Sequence, residues 1–116
     1  MRIQVNTDKN VEGSKALSER TEADLESALT RFEERLTRVE VHLRNESAGR
    51  STGEDIRCLI EARPAGMDPV TVTHHAATLL DALHGATDKL QTLLTSKFER
   101  LEGQETRETI RGRSRG

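Results

Sequence analysis

The soft and imidazole ligands in this sequence are few: one thiol, Cys58, and four imidazoles, His42, His74, His75 and His84. A transition metal needs three or four such groups converging on one point. His74 and His75 are neighbours, and neighbours on a strand point to opposite faces, so the pair does not chelate. Cys58 sits in "EDIRCLIEA" on the same alternation as Ile56 and Ile60, where a thiol behaves as a small apolar core group. The chain has no Walker-type glycine loop and no serine set in a nucleophile elbow. Its Asp and Glu residues fall on the polar faces of their segments. These observations point away from catalysis, from a metal and from any cofactor.

The remaining chemistry is charge. Eighteen basic residues stand against 20 acidic ones, a net charge of −2, so a polyanion would have to be held by a local patch rather than by the whole molecule. One candidate patch is "GATDKLQTLLTSKFERL", residues 85–101, where Lys89, Lys97 and Arg100 flank an apolar helical stripe and Asp88 and Glu99 offset part of their charge. A second is formed by Arg2, Arg44, Arg57 and Arg63. These take the outward phase of three strand-like alternations and so share one sheet face with Glu40 and Glu61. Cross-strand ion pairing is the ordinary role for such a set, and phosphate contact is the functional one. Leu59 has the same outward phase, as an isolated exposed apolar residue or a partner contact.

These side chains must be placed by a small scaffold. A chain of 116 residues fits one domain, and 33% hydrophobic content with two phenylalanines as the only aromatics predicts a thin core of Leu, Val, Ile and Ala. One cysteine allows no internal disulfide, and no apolar run suggests a signal peptide or a membrane span, so a cytoplasmic protein without a membrane partner is expected.

"RIQVN" alternates as a strand, with Ile3 and Val5 inward. After Ser14, a predicted N-cap, Leu17, Thr21, Leu25, Ala28, Leu29, Phe32 and Leu36 recur at helical spacing. "TRVEVHLRNE", "EDIRCLIEA" and the segment from Val70 to Thr73 alternate again, the first two joined by "SAGRSTG" and the last two by the turn-forming "RPAGMDP". From about Ala76 the helical period returns, through Leu79, Leu80, Leu83, Ala86, Leu90, Leu93, Leu94, Phe98 and Leu101. Gly85 interrupts this helix, which marks a bend or a close approach to another backbone. The order is β-α-β-β-β-α, an α+β fold whose four-stranded sheet buries one face under two helices. The inward strand set is Ile3, Val5, Val39, Val41, Leu43, Ile56, Cys58, Ile60, Val70 and Val72. Residues 1–101 form the domain, and 102–116 read as a disordered basic tail with Arg107, Arg111, Arg113 and Arg115.

Taken together, "RIQV", "NVEGSKAL" leading into the first helix, "TRVEVHL" as the second strand and "ALHGATDKL" in the second helix resemble the ribosome hibernation promoting factors, also called ribosomal subunit interface or sigma-factor modulation proteins. The resemblance covers residues 1 to about 101. It implies a short-type member, without the C-terminal dimerisation domain of long members. Such a protein binds the small ribosomal subunit and its RNA near the decoding channel and silences translation under stress, with no small-molecule substrate. Lys89 matches a family basic position. Thr92 and Ser96 stand where the family usually carries further basic residues, and Asp24 and Ser27 occupy the middle of helix one where Lys or Arg is common. Fewer neutralised phosphates would weaken RNA affinity steeply at physiological salt. The alternative is a protein-binding module of the same fold, or one that forms a weak homodimer through the open sheet face.

Overall fold

A computed structural model describes residues 1–8, 15–47 and 53–115, with side chains described as far as Gly103. Ser14, the predicted N-cap, and most of "SAGRSTG" lie outside the described residues. The elements are β1 (Arg2–Thr7), α1 (Lys15–Ala28), a 3-10 turn (Thr30–Phe32), β2 (Leu36–Asn45), β3 (Ile56–Pro64), β4 (Val70–Ala76) and α2 (Leu79–Arg115). The sheet order is β1-β2-β3-β4. β1 runs parallel to β2 across the α1 crossover, while β2, β3 and β4 are antiparallel.

Period-two alternation places the core where expected. Val39, Val41, Leu43, Cys58, Ile60 and Val70 are buried on one face, and Ile3, Ile56 and Val72 pack partly buried around them. From the helices, Leu25, Leu29, Leu83, Ala86, Leu90, Leu94 and Phe98 close over this surface. Each fully buried Leu or Ile contributes about 1.5–3 kcal/mol relative to exposure, so the aliphatic layer carries most of the fold, with Phe32 and Phe98 as the aromatics in it.

The first helix is shorter than its apolar stripe suggests. Thr30 donates its hydroxyl to the carbonyls of Glu26 (2.8 Å) and Ser27 (3.1 Å), and the chain tightens into the 3-10 turn. Leu29 and Phe32 remain inward because one 3-10 turn brings residues three apart into line. Leu36, read as the last helical position, instead opens β2, pairs with Pro64 and precedes a register shift at Arg38.

β4 extends to Ala76, and α2 starts later than Ala76 for a local reason. Thr78 accepts a hydrogen bond from the Asp81 amide at 3.1 Å, which makes it the N-cap. The pattern Thr78-Leu79-Leu80-Asp81 is a capping signal that the apolar period overrides in a sequence reading. At the other end the apolar stripe stops at Leu101, yet the helical backbone runs on to Arg115. Glu, Gln and Arg, abundant there, favour helix intrinsically, although two glycines interrupt them. The side chains of Arg107, Arg111, Arg113 and Arg115 lie outside the described residues. Gly85 answers to neither expectation: a Cβ there would overlap the ring of His74, whose Cγ would lie 2.6 Å away. The close approach is to a side chain, not a backbone.

Candidate nucleic-acid interface

α2 carries three of the sequence-predicted cations. With 3.6 residues per turn, Lys89, Leu93, Ser96 and Arg100 follow one flank of the helix, that facing β4. Lys89 is exposed, but its ammonium donates to the carbonyl of Thr73 at 2.8 Å, so it caps a backbone group of the edge strand β4. Lys97 is half-buried and Arg100 exposed, and among the described residues neither makes an ion pair. Thr92 and Ser96 lie between these cations, and Asp88 and Glu99 are exposed nearby.

The other flank of α2 faces α1. Gln91 donates to the Ala28 carbonyl at 2.8 Å, Arg31 donates to the Thr95 hydroxyl, and Arg35 pairs with Glu102 at 2.7 Å. The guanidinium of Arg31 lies 4.6 Å from the Phe32 ring centre and that of Arg35 lies 4.8 Å from the Phe98 ring centre, with the two rings 5.6 Å apart. Sequence reading missed this clasp. The local hint was the nearness of Arg31 and Arg35 to Phe32, and the partners on α2 lie 64 and 67 residues further along the chain.

Between the helices runs a groove enclosing about 560 Å³, lined by Arg31, Asp88, Gln91, Thr92, Thr95, Ser96 and Glu99. A second hollow of about 290 Å³ adjoins it at Asp24, Ser27, Ala28, His84, Thr87, Asp88 and Gln91. The larger holds two carboxylates against one guanidinium, and in the smaller His84 lies 4.0 Å from Asp24. The groove is a mixed surface, not a continuous positive track.

Arg2, Arg44, Arg57 and Arg63 do share the open face, opposite the helices, so the predicted cations divide between two sides of the molecule. Strand register arranges the open face in rows. Arg2, Arg38 and Arg63 lie side by side, then Gln4, Glu40 and Glu61, then Asn6, His42, Leu59 and Thr73, then Arg44, Arg57 and His75. Glu46 and Asp55, joined by an amide-to-carbonyl bond of 2.8 Å, follow at the hairpin end. Arg38, missed in the sequence although one period before Glu40, completes the first row.

Expected pairing across β2 and β3 therefore takes another course, because directly opposite residues carry like charges. Ion pairs run along the strands, Arg38 to Glu40 at 2.5 Å and Arg63 to Glu61 at 3.0 Å, or diagonally, Arg57 to Glu46 at 3.7 Å. Arg44 reaches Asp8, just past β1, at 4.0 Å. His75 lies 3.5 Å from Glu46 on this face, whereas His74 turns to α2, the predicted divergence of the two imidazoles.

Cys58 is buried, and burial pushes its thiol from 9.0 up to about 12. Among the described residues no three His, Cys, Asp or Glu side chains gather as a metal site, and no helix is long and apolar enough to cross a membrane.

Among solved structures, the chain is similar to the N-terminal domain of Protein Y from Thermus thermophilus, with 24% identity, a TM-score of 0.63, and coverage of 80% of this chain and 94% of that one. It is also similar to a ribosomal subunit interface protein from Coxiella burnetii, with 18% identity, a TM-score of 0.64, and coverage of 86% and 99%. At these identities the likeness is one of fold. No curated protein matches the chain. The profile of one family, described as sigma 54 modulation protein / S30EA ribosomal protein, matches residues 4–102, which take in the sheet from Gln4 onward, α1 and the packed part of α2. On that match, the chain belongs to the sigma 54 modulation protein / S30EA ribosomal protein family.

Proposed function

We propose that this protein is a ribosome-associated hibernation factor that binds the small subunit near the decoding channel and silences translation, acting as a binder without catalysis. The observation that carries the reading is the family match over residues 4–102, which takes in every packed element. The likeness in fold to a protein described as a ribosomal subunit interface protein agrees with it.

Within this reading α2 is the contact element for ribosomal RNA. Lys97 and Arg100 have no ionic partner among the described residues, and Lys89 keeps two of its three N–H donors for a phosphate while one serves Thr73. Arg44, Arg57 and Arg63 are engaged with carboxylates, so their role in phosphate contact is secondary. The two sets occupy different parts of the surface, the α2 flank along the β4 edge and the open face of the sheet.

The test is sedimentation of a cell lysate on a sucrose gradient, with the protein traced across ribosomal fractions. Comigration with small subunits that declines as salt rises is the expected result. Protein confined to the top of a low-salt gradient would overturn the proposal.

A second reading is favoured by one observation, the mixed charge of the groove between the helices. It is a protein-binding module of the same fold that has lost strong RNA affinity. In the same gradient it would appear as a salt-resistant complex free of ribosomal RNA.

A further inference from the structure

The open face of the sheet holds an anomaly. Across β2 and β3, Arg38 faces Arg63, Glu40 faces Glu61, and Arg44 faces Arg57, each a directly opposite register pair. Opposed Cβ atoms lie about 4.5–5.5 Å apart, and like charges at that spacing are destabilising. Glu46 and Asp55 continue the pattern at the hairpin end. Partial relief comes from the ion pairs along and diagonal to the strands, but the result is a ladder of like-charged rows.

The order of the rows is antisymmetric. Along β2, residues 38, 40, 42, 44 and 46 read Arg, Glu, His, Arg, Glu; along β3, residues 55, 57, 59, 61 and 63 read Asp, Arg, Leu, Glu, Arg. Counting outward from His42 and Leu59, each acidic row on one side has a basic row at the same distance on the other. A twofold axis laid along the His42–Leu59 row would bring that row against its own copy and every charged row across β2 and β3 against one of opposite sign.

We propose that this face is a self-association surface, on which a second copy of the chain packs face to face about that axis. Glu61 of one copy then meets Arg57 of the other, Glu40 meets Arg44, Arg38 meets Glu46, and Arg63 meets Asp55. Each contact occurs twice, as an isologous interface requires. Leu59 meets its own counterpart at the centre, which accounts for an apolar side chain in the middle of a charged face.

The geometry is one that sheets adopt. Two twisted sheets stack about 10 Å apart with their strands some 30° off alignment, a gap that facing Arg and Glu side chains can span. Both helices cover the opposite face, and no described element packs on this one. From strand spacing and rise, the rows extend over roughly 15–20 Å by 25–30 Å, so the two copies together bury on the order of 1,000 Å². That is near the lower limit for specific association and fits a weak, salt-sensitive dimer. Long-type members of the family reach dimers by a separate C-terminal domain, so this surface would be another route, and it does not depend on ribosome binding.

The test uses the full 116-residue chain without ribosomes, in sedimentation equilibrium over a wide concentration range at low salt. Glu61→Arg and Arg57→Glu should each weaken self-association tenfold or more, because each places like charges together at two symmetry-related contacts. An equimolar mixture of the two variants should regain dimers, since both contacts are again of opposite sign in the heterodimer. The doubly substituted chain should also dimerise, which shows in addition that the substituted face still folds. A monomer at all concentrations, or dimers indifferent to the single variants, or failure of both the mixture and the double variant to recover, would overturn the proposal.

Discussion

Cys58 shows how far one residue can be understood from its surroundings. Its sulfur is fully buried among Leu43, Ile60 and their neighbours, and desolvation alone raises the thiol to about 12. The folded chain therefore keeps a proton that the unfolded chain releases above about pH 9. Because the folded state binds more protons in that window, the contribution to stability is complete below pH 9 and is lost as the pH climbs towards 12. Comparison of wild type with Cys58→Ala by denaturant titration should show the two stabilities converging over that range. At neutral pH a thiol reagent should label native Cys58 far more slowly than unfolded chain. Gly85 offers a second residue-scale expectation. In an ordinary helix Gly→Ala gains about 1 kcal/mol, but here the new methyl must displace the His74 ring, and Gly85→Ala should lower the melting temperature. In a His74→Ala background the same change should become stabilising, a reversal of sign that a double-mutant cycle reads directly.

At the scale of elements, the proposed contact with ribosomal RNA rests on α2. Neutralised phosphates appear in the slope of log affinity against log salt. Lys89→Ala should reduce that slope on purified small subunits by up to about one unit, and Thr92→Arg, one turn along the same side, should steepen it by a similar amount. If neither moves it, α2 is a cover for the sheet and no more. Alternation and helical period made the elements legible in sequence, and the inward set from Val39 to Val70 follows from them. The end of α1 was not legible, because Leu29, Phe32 and Leu36 keep a helical spacing although a 3-10 turn and a strand carry the last two. Nor was the pairing of charges. Period two tells which face Arg44, Glu61 and Arg63 occupy, but register decides which neighbour each one meets, and register is a property of two strands at once. The clasp of Arg31 and Arg35 over the phenylalanines escaped for the same reason, since half of it lies on α2.

For the molecule as a whole, the last buried side chain among the described residues is Phe98, and the last ion pair is that of Arg35 with Glu102. We propose residues 1–101 as the folding unit and the remainder as an appended segment. A chain ending after Gly103 keeps every described core contact, so its melting temperature should stay within a few degrees of that of the full chain, measured by circular dichroism. A larger loss would show that the last turns of α2 support the domain. The hydrogen bond from Lys89 to Thr73 also bears on the molecule at this scale. An edge strand with open carbonyls invites another strand to add beside it, and repeated addition has no natural end. With a lysine seated on a β4 carbonyl, growth of the sheet past that edge is discouraged, and copies that meet are directed to faces instead of edges. Association through a face about a twofold axis exhausts its own surface and stops at two, so this one ammonium favours closed assembly over fibrils.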